Sequence, residues 1–167
     1  NSFENKPTIV FLHDSLGCAE LWRDFPAKLG VALACNILVY DRLGYGKSGM
    51  MTTHERAINY MVLESDLLNV LLCTLNVQNA VLFGHSDGGT IALIAASKYP
   101  ENIQAVICEA GHIFVEEITV QGVRDALEAY STTNLGERLQ KYHGDKVPML
   151  FRAWTEIWLS EKFKSWN

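Results

Sequence analysis

The sequence lacks the features that mark several large classes of protein. No apolar stretch approaches the roughly 18 residues of a membrane-spanning helix, and lysine and arginine form no runs. With a net charge of −5, the chain is not expected to bind nucleic acid or a membrane surface. The four cysteines lie far apart, outside any C-x-x-C pair, which favours buried, reduced thiols in a cytoplasmic protein over disulfides or metal ligands. Phosphate-binding loops and metal-ligand clusters are also missing from the sequence, so no cofactor is expected.

Short apolar runs alternate with helical periodicity along the first two thirds of the 167 residues. Four of these runs predict buried strands: Thr8–His13, Cys35–Tyr40, Ala80–Phe83 and Ile103–Cys108. Continuously apolar strands that are separated by helices are typical of a parallel sheet covered on both faces. The predicted fold class is therefore α/β with a central parallel sheet.

Helices are predicted between the strands, over Glu20–Leu33 and from about Thr53 to Leu75. After Gly111 the patterning is only helical, in three segments: Ile118–Tyr130, Leu135–Tyr142 and Pro148–Leu159. We therefore expect a core region at 1–112 and a helical region at 113–167. A helical appendage that follows a strand of a parallel sheet is well suited to act as a lid over the carboxyl ends of the strands, where such sheets bind ligands.

The strongest functional signal is the segment Gly84–Gly88, which reads G-x-S-x-G. An apolar run precedes it and a helix-forming stretch follows it, which is the strand–turn–helix context of a nucleophile elbow. In that turn the hydroxyl of Ser86 would stand above the strand end, and the N–H of Asp87 would lie at the helix N-terminus. The structural alternative is that Ser86 is only a helix N-cap. The flanking glycines favour the elbow, with Ser86 at a positive φ.

Together with two further blocks, this motif resembles the α/β-hydrolase family. Val10–Gly17 looks like the third strand and oxyanion loop of that family, and Asp41–Ser48 is similar to its D-x-x-G-x-G-x-S turn. Helices after the sixth family strand, here Ile103–Cys108, are where the family inserts its cap. The resemblance is to the capped, esterase-like branch. It implies that this chain is a piece of a larger hydrolase, without the family's first two strands and without the region that carries the catalytic histidine.

The resemblance also implies roles for individual residues. Ser86 would be the nucleophile, and the backbone N–H groups of Ser15 and Asp87 would form the oxyanion hole. This arrangement requires the strand before the elbow to lie between Thr8–His13 and Ile103–Cys108, with the second strand outside the first. Asp14 occupies a position where the family more often has glycine. Its carboxylate must point away from the forming oxyanion, or be protonated.

The acid and the base of the site are less well defined by the sequence. Glu109 closes the fourth strand and is a candidate catalytic acid, because some members of the family carry the acid at this strand end; otherwise it lines the pocket or anchors a loop. His13 and His85 are expected to be structural. Only His112 has a plausible path to Ser86, and it is expected to be structural too, at the hinge of the cap. We therefore expect that no histidine of this chain hydrogen-bonds Ser86.

These features favour a serine hydrolase that acts on a carboxylic ester, or a similarly activated carbonyl of a small molecule, through an acyl-enzyme on Ser86. Two alternatives remain open. One is carbon–carbon bond hydrolysis or acyl transfer on the same fold. The other is a non-catalytic binding protein that keeps the fold without the chemistry. The sequence leaves open whether the protein forms a homodimer.

Overall fold

Four strands form one parallel sheet in the computed structural model, which describes residues 6–167. They are β1 (Thr8–Leu12), β2 (Asn36–Val39), β3 (Ala80–His85) and β4 (Ile103–Glu109). The strand order is β2-β1-β3-β4 and every neighbouring pair is parallel. The predicted fold class and strand order are confirmed. All four strands therefore end at the same edge of the sheet. β1 and β3, which lead into the loop at Ser15 and the turn at Ser86, are neighbours.

Three helices accompany the strands: α1 (Phe25–Leu33), α2 (Tyr60–Thr74) and α3 (Asp87–Lys98). The predicted helix at 20–33 is divided, because Arg23 adopts φ 54° after a 3₁₀ turn at Ala19–Trp22, and α1 begins only at Phe25 with Pro26 in its first turn. The helix predicted from about Thr53 begins at Tyr60. Before it, the hydroxyl of Thr53 accepts the N–H of Glu55 at 3.1 Å, a local bond that competes with helix formation.

The chain divides into two compact units. The sheet unit comprises the chain up to Tyr40 and Met61–His112, and the helical unit comprises Asp41–Tyr60 and Ile113–Asn167. The helical unit contains α4 (Glu117–Thr132), α5 (Leu135–His143) and α6 (Val147–Trp158). Its second segment begins at Ile113. Residues 41–60 precede this segment by more than 50 positions and pack with its helices.

Polar contacts explain why residues 41–60 belong to the helical unit. The N–H of Gly46 donates to Nδ1 of the buried His143 at 3.0 Å, and Nζ of Lys146 donates to the carbonyl of Ser48 at 2.7 Å. At the other end of the segment, Nε1 of Trp158 donates to the hydroxyl of Tyr60 at 3.1 Å. Buried polar groups are costly unless they are paired, so these bonds favour this packing.

The four cysteines are free thiols, but only Cys18 is buried. The prediction of buried thiols is wrong for Cys73 and Cys108, which are exposed, and Cys35 is half-buried. Cys108 lies on β4, an edge strand of the four-stranded sheet, most of whose residues are exposed. An apolar run in the sequence could not distinguish such an edge strand from a central one. Among the described helices, none is long and apolar enough to cross a membrane.

Candidate active site

The serine of the G-x-S-x-G motif lies in a sharp turn between a strand and a helix. β3 ends at His85, α3 begins at Asp87, and Ser86 between them has φ 53° and ψ −122°. The predicted positive φ is therefore confirmed. This conformation also lies outside the left-handed α region, in which ψ is about +30° to +60°, so it is strained for a residue with a Cβ.

The glycines of the motif are required by close backbone contacts. A Cβ on Gly84 would overlap the carbonyl group of Gly88, within the turn itself. A Cβ on Gly88 would overlap the carbonyl group of Leu12, at the end of β1. The first residues of α3 thus lie directly against the backbone of the neighbouring strand. At the fourth small position, a Cβ on Gly89 would stand 3.0 Å from Sγ of Cys108 on β4, so side chains larger than glycine are disfavoured there too.

Both predicted oxyanion donors lie at the carboxyl edge of the sheet. Ser15 is buried in the loop that follows β1, and Asp87 is fully buried at the N-terminus of α3. β1 and β3 are adjacent, with Leu12 in register with Gly84, so the two donor-bearing segments leave neighbouring strand ends. A helix N-terminus presents unpaired N–H groups and a partial positive charge, which suits a developing oxyanion.

The carboxylate of Asp14 is bonded within its own loop. Oδ1 accepts the N–H of Leu16 at 2.8 Å, and Oδ2 lies 3.6 Å from Nδ1 of His85. The main-chain carbonyl of Asp14 accepts two further bonds, from Nδ1 of His13 at 2.8 Å and from the N–H of Gly17 at 3.3 Å. Sequence reasoning did not anticipate the contact with His85, and the only signal for it was an unusual acidic residue directly after a strand.

Glu109 is the last residue of β4 and lies in register with His85. Its main-chain carbonyl accepts the N–H of Ser86 at 2.9 Å, so the end of β4 supports the elbow. Glu109 also lines a pocket of about 260 Å³ in the sheet unit, together with residues of the loop after β1, the 3₁₀ turn and β3: His13, Asp14, Gly17, Cys18, Leu21, Trp22 and His85. The side chain of Glu109 is exposed, and within residues 6–167 its carboxylate forms no hydrogen bond or ion pair.

The histidines of the sheet unit are engaged elsewhere than at Ser86. His13 and His85 contact Asp14, as described above. The backbone of His112 is fixed by the hydroxyl of Thr90, which donates to the His112 carbonyl at 2.9 Å and accepts its N–H at 2.8 Å. In the part of the chain that the structure describes, no histidine nitrogen is hydrogen-bonded to the Ser86 hydroxyl.

The two histidines of the helical unit have partners within that unit. Nε2 of His54 lies 3.4 Å from a carboxylate oxygen of Glu156. Nδ1 of His143 accepts the N–H of Gly46. The sheet unit thus contains Ser86, Ser15, Asp87 and Glu109. Within residues 6–167, no imidazole is hydrogen-bonded to the serine hydroxyl.

Comparison with known proteins identifies this architecture. The sequence profile of the alpha/beta hydrolase fold matches residues 7–141. One relative is 2-succinyl-6-hydroxy-2,4-cyclohexadiene-1-carboxylate synthase of Enterobacter sp. strain 638, to which the chain is 28% identical over 148 residues. The match covers 89% of this chain and 52% of the relative. Another relative is an sn-1-specific diacylglycerol lipase of Danio rerio, to which the chain is 29% identical over 99 residues. The match covers 59% of this chain and 30% of the relative. The chain thus spans about half or less of these curated relatives.

Solved structures give the same result for the fold. A structure from work on carboxylesterases of the thaumarchaeon Nitrososphaera gargenis superposes with a TM-score of 0.73, at 19% sequence identity, over 99% of this chain and 66% of that one. At this identity the likeness concerns the fold alone. The sequence profile, however, covers well over half of the chain. The chain belongs to the alpha/beta hydrolase fold family.

Proposed function

We propose that Ser86 is the nucleophile of a serine hydrolase that acts on a carboxylic ester, or a similarly activated carbonyl, of a small molecule. The observation that carries this proposal is the backbone of Ser86, at φ 53° and ψ −122° between β3 and α3. A helix N-cap needs only extended backbone geometry. Strained backbone persists where the surrounding structure over-determines it, and it is concentrated at functional sites.

The proposed reaction proceeds through an acyl-enzyme. Oγ of Ser86 attacks the carbonyl carbon as a base takes its proton, and the carbonyl electron pair moves to the oxygen. The N–H groups of Ser15 and Asp87 stabilise this oxyanion, each by roughly 3–4 kcal/mol in comparable sites. Collapse of the tetrahedral intermediate expels the alcohol, which receives the proton. Water then attacks the acyl-enzyme in the same way, releasing the acid and restoring Ser86.

We further propose that the imidazole base reaches Ser86 from polypeptide outside this chain. None of the described histidines bonds the Ser86 hydroxyl, and the chain spans only 52% and 30% of two relatives that it resembles. Glu109 remains the candidate acid within the chain, since it lies at the strand end next to the elbow and lines the pocket there.

A fluorophosphonate probe tests this proposal, because such probes phosphonylate only an activated serine. A longer natural polypeptide that contains these residues is expected to be labelled on Ser86, and Ser86→Ala is expected to abolish labelling. The matched control is Ser97→Ala, which changes an exposed serine on the same helix α3 and should leave labelling unchanged. The 167 residues alone should show negligible labelling by the probe and negligible turnover of p-nitrophenyl acetate. An unlabelled Ser86 in the longer polypeptide would instead indicate a non-catalytic binding protein.

Carbon–carbon bond chemistry or acyl transfer is the second candidate. It is favoured by one comparison, since the relative that matches 89% of this chain is named as a synthase. Each of these reactions could use an activated Ser86, so labelling does not separate them. Product analysis does: a hydrolase releases free acid in the presence of added alcohols, whereas an acyltransferase forms the new ester.

A further inference from the structure

Asp14 stands between the two segments that carry the predicted oxyanion donors. It directly precedes Ser15, and its Oδ1 accepts the N–H of Leu16 on the far side of that residue at 2.8 Å. Its Oδ2 is directed to the elbow, 3.6 Å from Nδ1 of His85, which directly precedes Ser86. One carboxylate therefore contacts both the oxyanion loop and the elbow turn.

The backbone at the start of α3 restricts the position of the loop after β1. Because α3 lies against the carbonyl groups of Leu12 and His13, the loop after β1 has little room to move toward the elbow. Bonds within the loop help to hold the buried Ser15 in place. These include the Leu16 N–H bond to Asp14 and the 3.3 Å bond from Gly17 to the Asp14 carbonyl. Preorganised donors stabilise an oxyanion well because they need no rearrangement as the charge develops.

We propose that Asp14 is a positioning residue that fixes the Ser15 N–H opposite the elbow by bonding Leu16 and contacting His85. The proposal rests on the function proposed above. It also accounts for an acidic side chain beside the oxyanion site. The carboxylate accepts a loop N–H and is directed toward His85.

The two contacts should contribute unequally. The Leu16 bond has a good hydrogen-bonding distance, whereas 3.6 Å between side chains that are 38% and 40% exposed is a weak, solvent-screened contact. The other titratable groups around His85 in the pocket are His13, Cys18 and Glu109. The acceptor for Leu16 is therefore expected to matter more than the charge on Asp14.

The test compares Asp14→Ala with Asp14→Asn in the longer polypeptide, with p-nitrophenyl acetate as substrate. Alanine removes both contacts, and kcat should fall by about tenfold or more with KM within about twofold, because the loss falls on oxyanion stabilisation. Asparagine keeps an oxygen acceptor for Leu16, so kcat should remain at about one third of the wild-type value or above. The matched control is Asp24→Ala, which removes an exposed aspartate paired only with Lys28 on α1 and should leave kcat unchanged.

Two further readouts separate positioning from a general loss of structure. Amide hydrogen exchange at Leu16 should accelerate in Asp14→Ala and stay slow in Asp14→Asn. Affinity for a trifluoromethyl ketone, which forms a tetrahedral oxyanion on the serine, should fall in proportion to kcat/KM. If the wild type is labelled by fluorophosphonate but Asp14→Ala keeps kcat within twofold, or if asparagine is as damaging as alanine, this inference is wrong and the proposed function stands. If the wild type is not labelled, both fail.

Discussion

The strained backbone at Ser86 predicts that this residue, the proposed nucleophile, lowers the stability of the fold. A residue with a Cβ at φ 53° and ψ −122° costs about 1–3 kcal/mol relative to a relaxed backbone. Glycine adopts such angles freely but costs about 0.5–1 kcal/mol in extra entropy of the unfolded chain. Subtracting the second effect from the first leaves glycine the more stable residue at position 86 by about 1 kcal/mol.

The measurement that isolates this effect compares Ser86→Gly with Ser86→Ala. Both variants lack the hydroxyl, so their difference reports the effect of a Cβ on the backbone at position 86. We expect Ser86→Gly to melt at a higher temperature than Ser86→Ala, by about 2–4 °C for a protein of this size. In the longer polypeptide, neither variant should hydrolyse an activated ester.

An internal standard is available in α1. Ala34 ends this helix in the left-handed α region, at φ 49° and ψ 45°, where alanine costs roughly 1–2 kcal/mol. Ala34→Gly should therefore stabilise the fold and show that the assay detects such gains. If Ala34→Gly is stabilising while Ser86→Gly is no more stable than Ser86→Ala, the elbow is not strained and the main support for the proposed nucleophile is lost.

Two further predictions concern the sheet unit. Hydrogen bonds from Lys98 and Tyr99, the latter at 2.6 Å, lower the pKa of Asp66 below its ordinary value. The stabilisation they give is present above the unfolded-state pKa of about 4 and is lost as the pH falls through the lower folded-state value. Asp66→Asn should therefore lower the melting temperature at pH 7, and the difference from wild type should narrow as the pH falls below about 4; a difference that does not change on acidification would contradict this. Thr90→Val removes the hydroxyl that pairs both backbone groups of His112 and should destabilise the fold by about 1–3 kcal/mol, whereas Thr90→Ser should restore most of that loss; equal unfolding curves for the two variants would contradict it.

The elements of the fold were readable from the sequence because their patterns were local. The four apolar runs became strands in the predicted order, and the three segments after 113 became α4, α5 and α6. The packing partners of a segment, by contrast, depend on non-local contacts. Residues 41–60 join the helical unit through bonds to His143, Lys146 and Trp158, about 100 positions away in the chain. No periodicity in the sequence encodes such partners.

The candidate site divides in the same way. The elbow at Ser86 was predictable because the strand, the glycines and the helix follow one another in sequence. The orientation of Asp14 was not, since it depends on which N–H the loop presents and on how near His85 comes. The sequence indicated only that this carboxylate must point away from the forming oxyanion or be protonated. The structure shows it bonded to Leu16, within its own loop.

The G-x-S-x-G motif nevertheless carries information beyond its own turn. Gly84 is required by the carbonyl of Gly88, which is a local contact, but Gly88 is required by the carbonyl of Leu12, on a strand some 70 residues earlier. A turn that stood free of a neighbouring strand would place no such demand on position 88. The second glycine is therefore evidence for a close backbone neighbour at the strand end, and β1 is that neighbour. Since β1 leads directly into the loop that bears Ser15, the steric rule that selects glycine also places the two proposed oxyanion donors, Ser15 and Asp87, at adjoining strand ends.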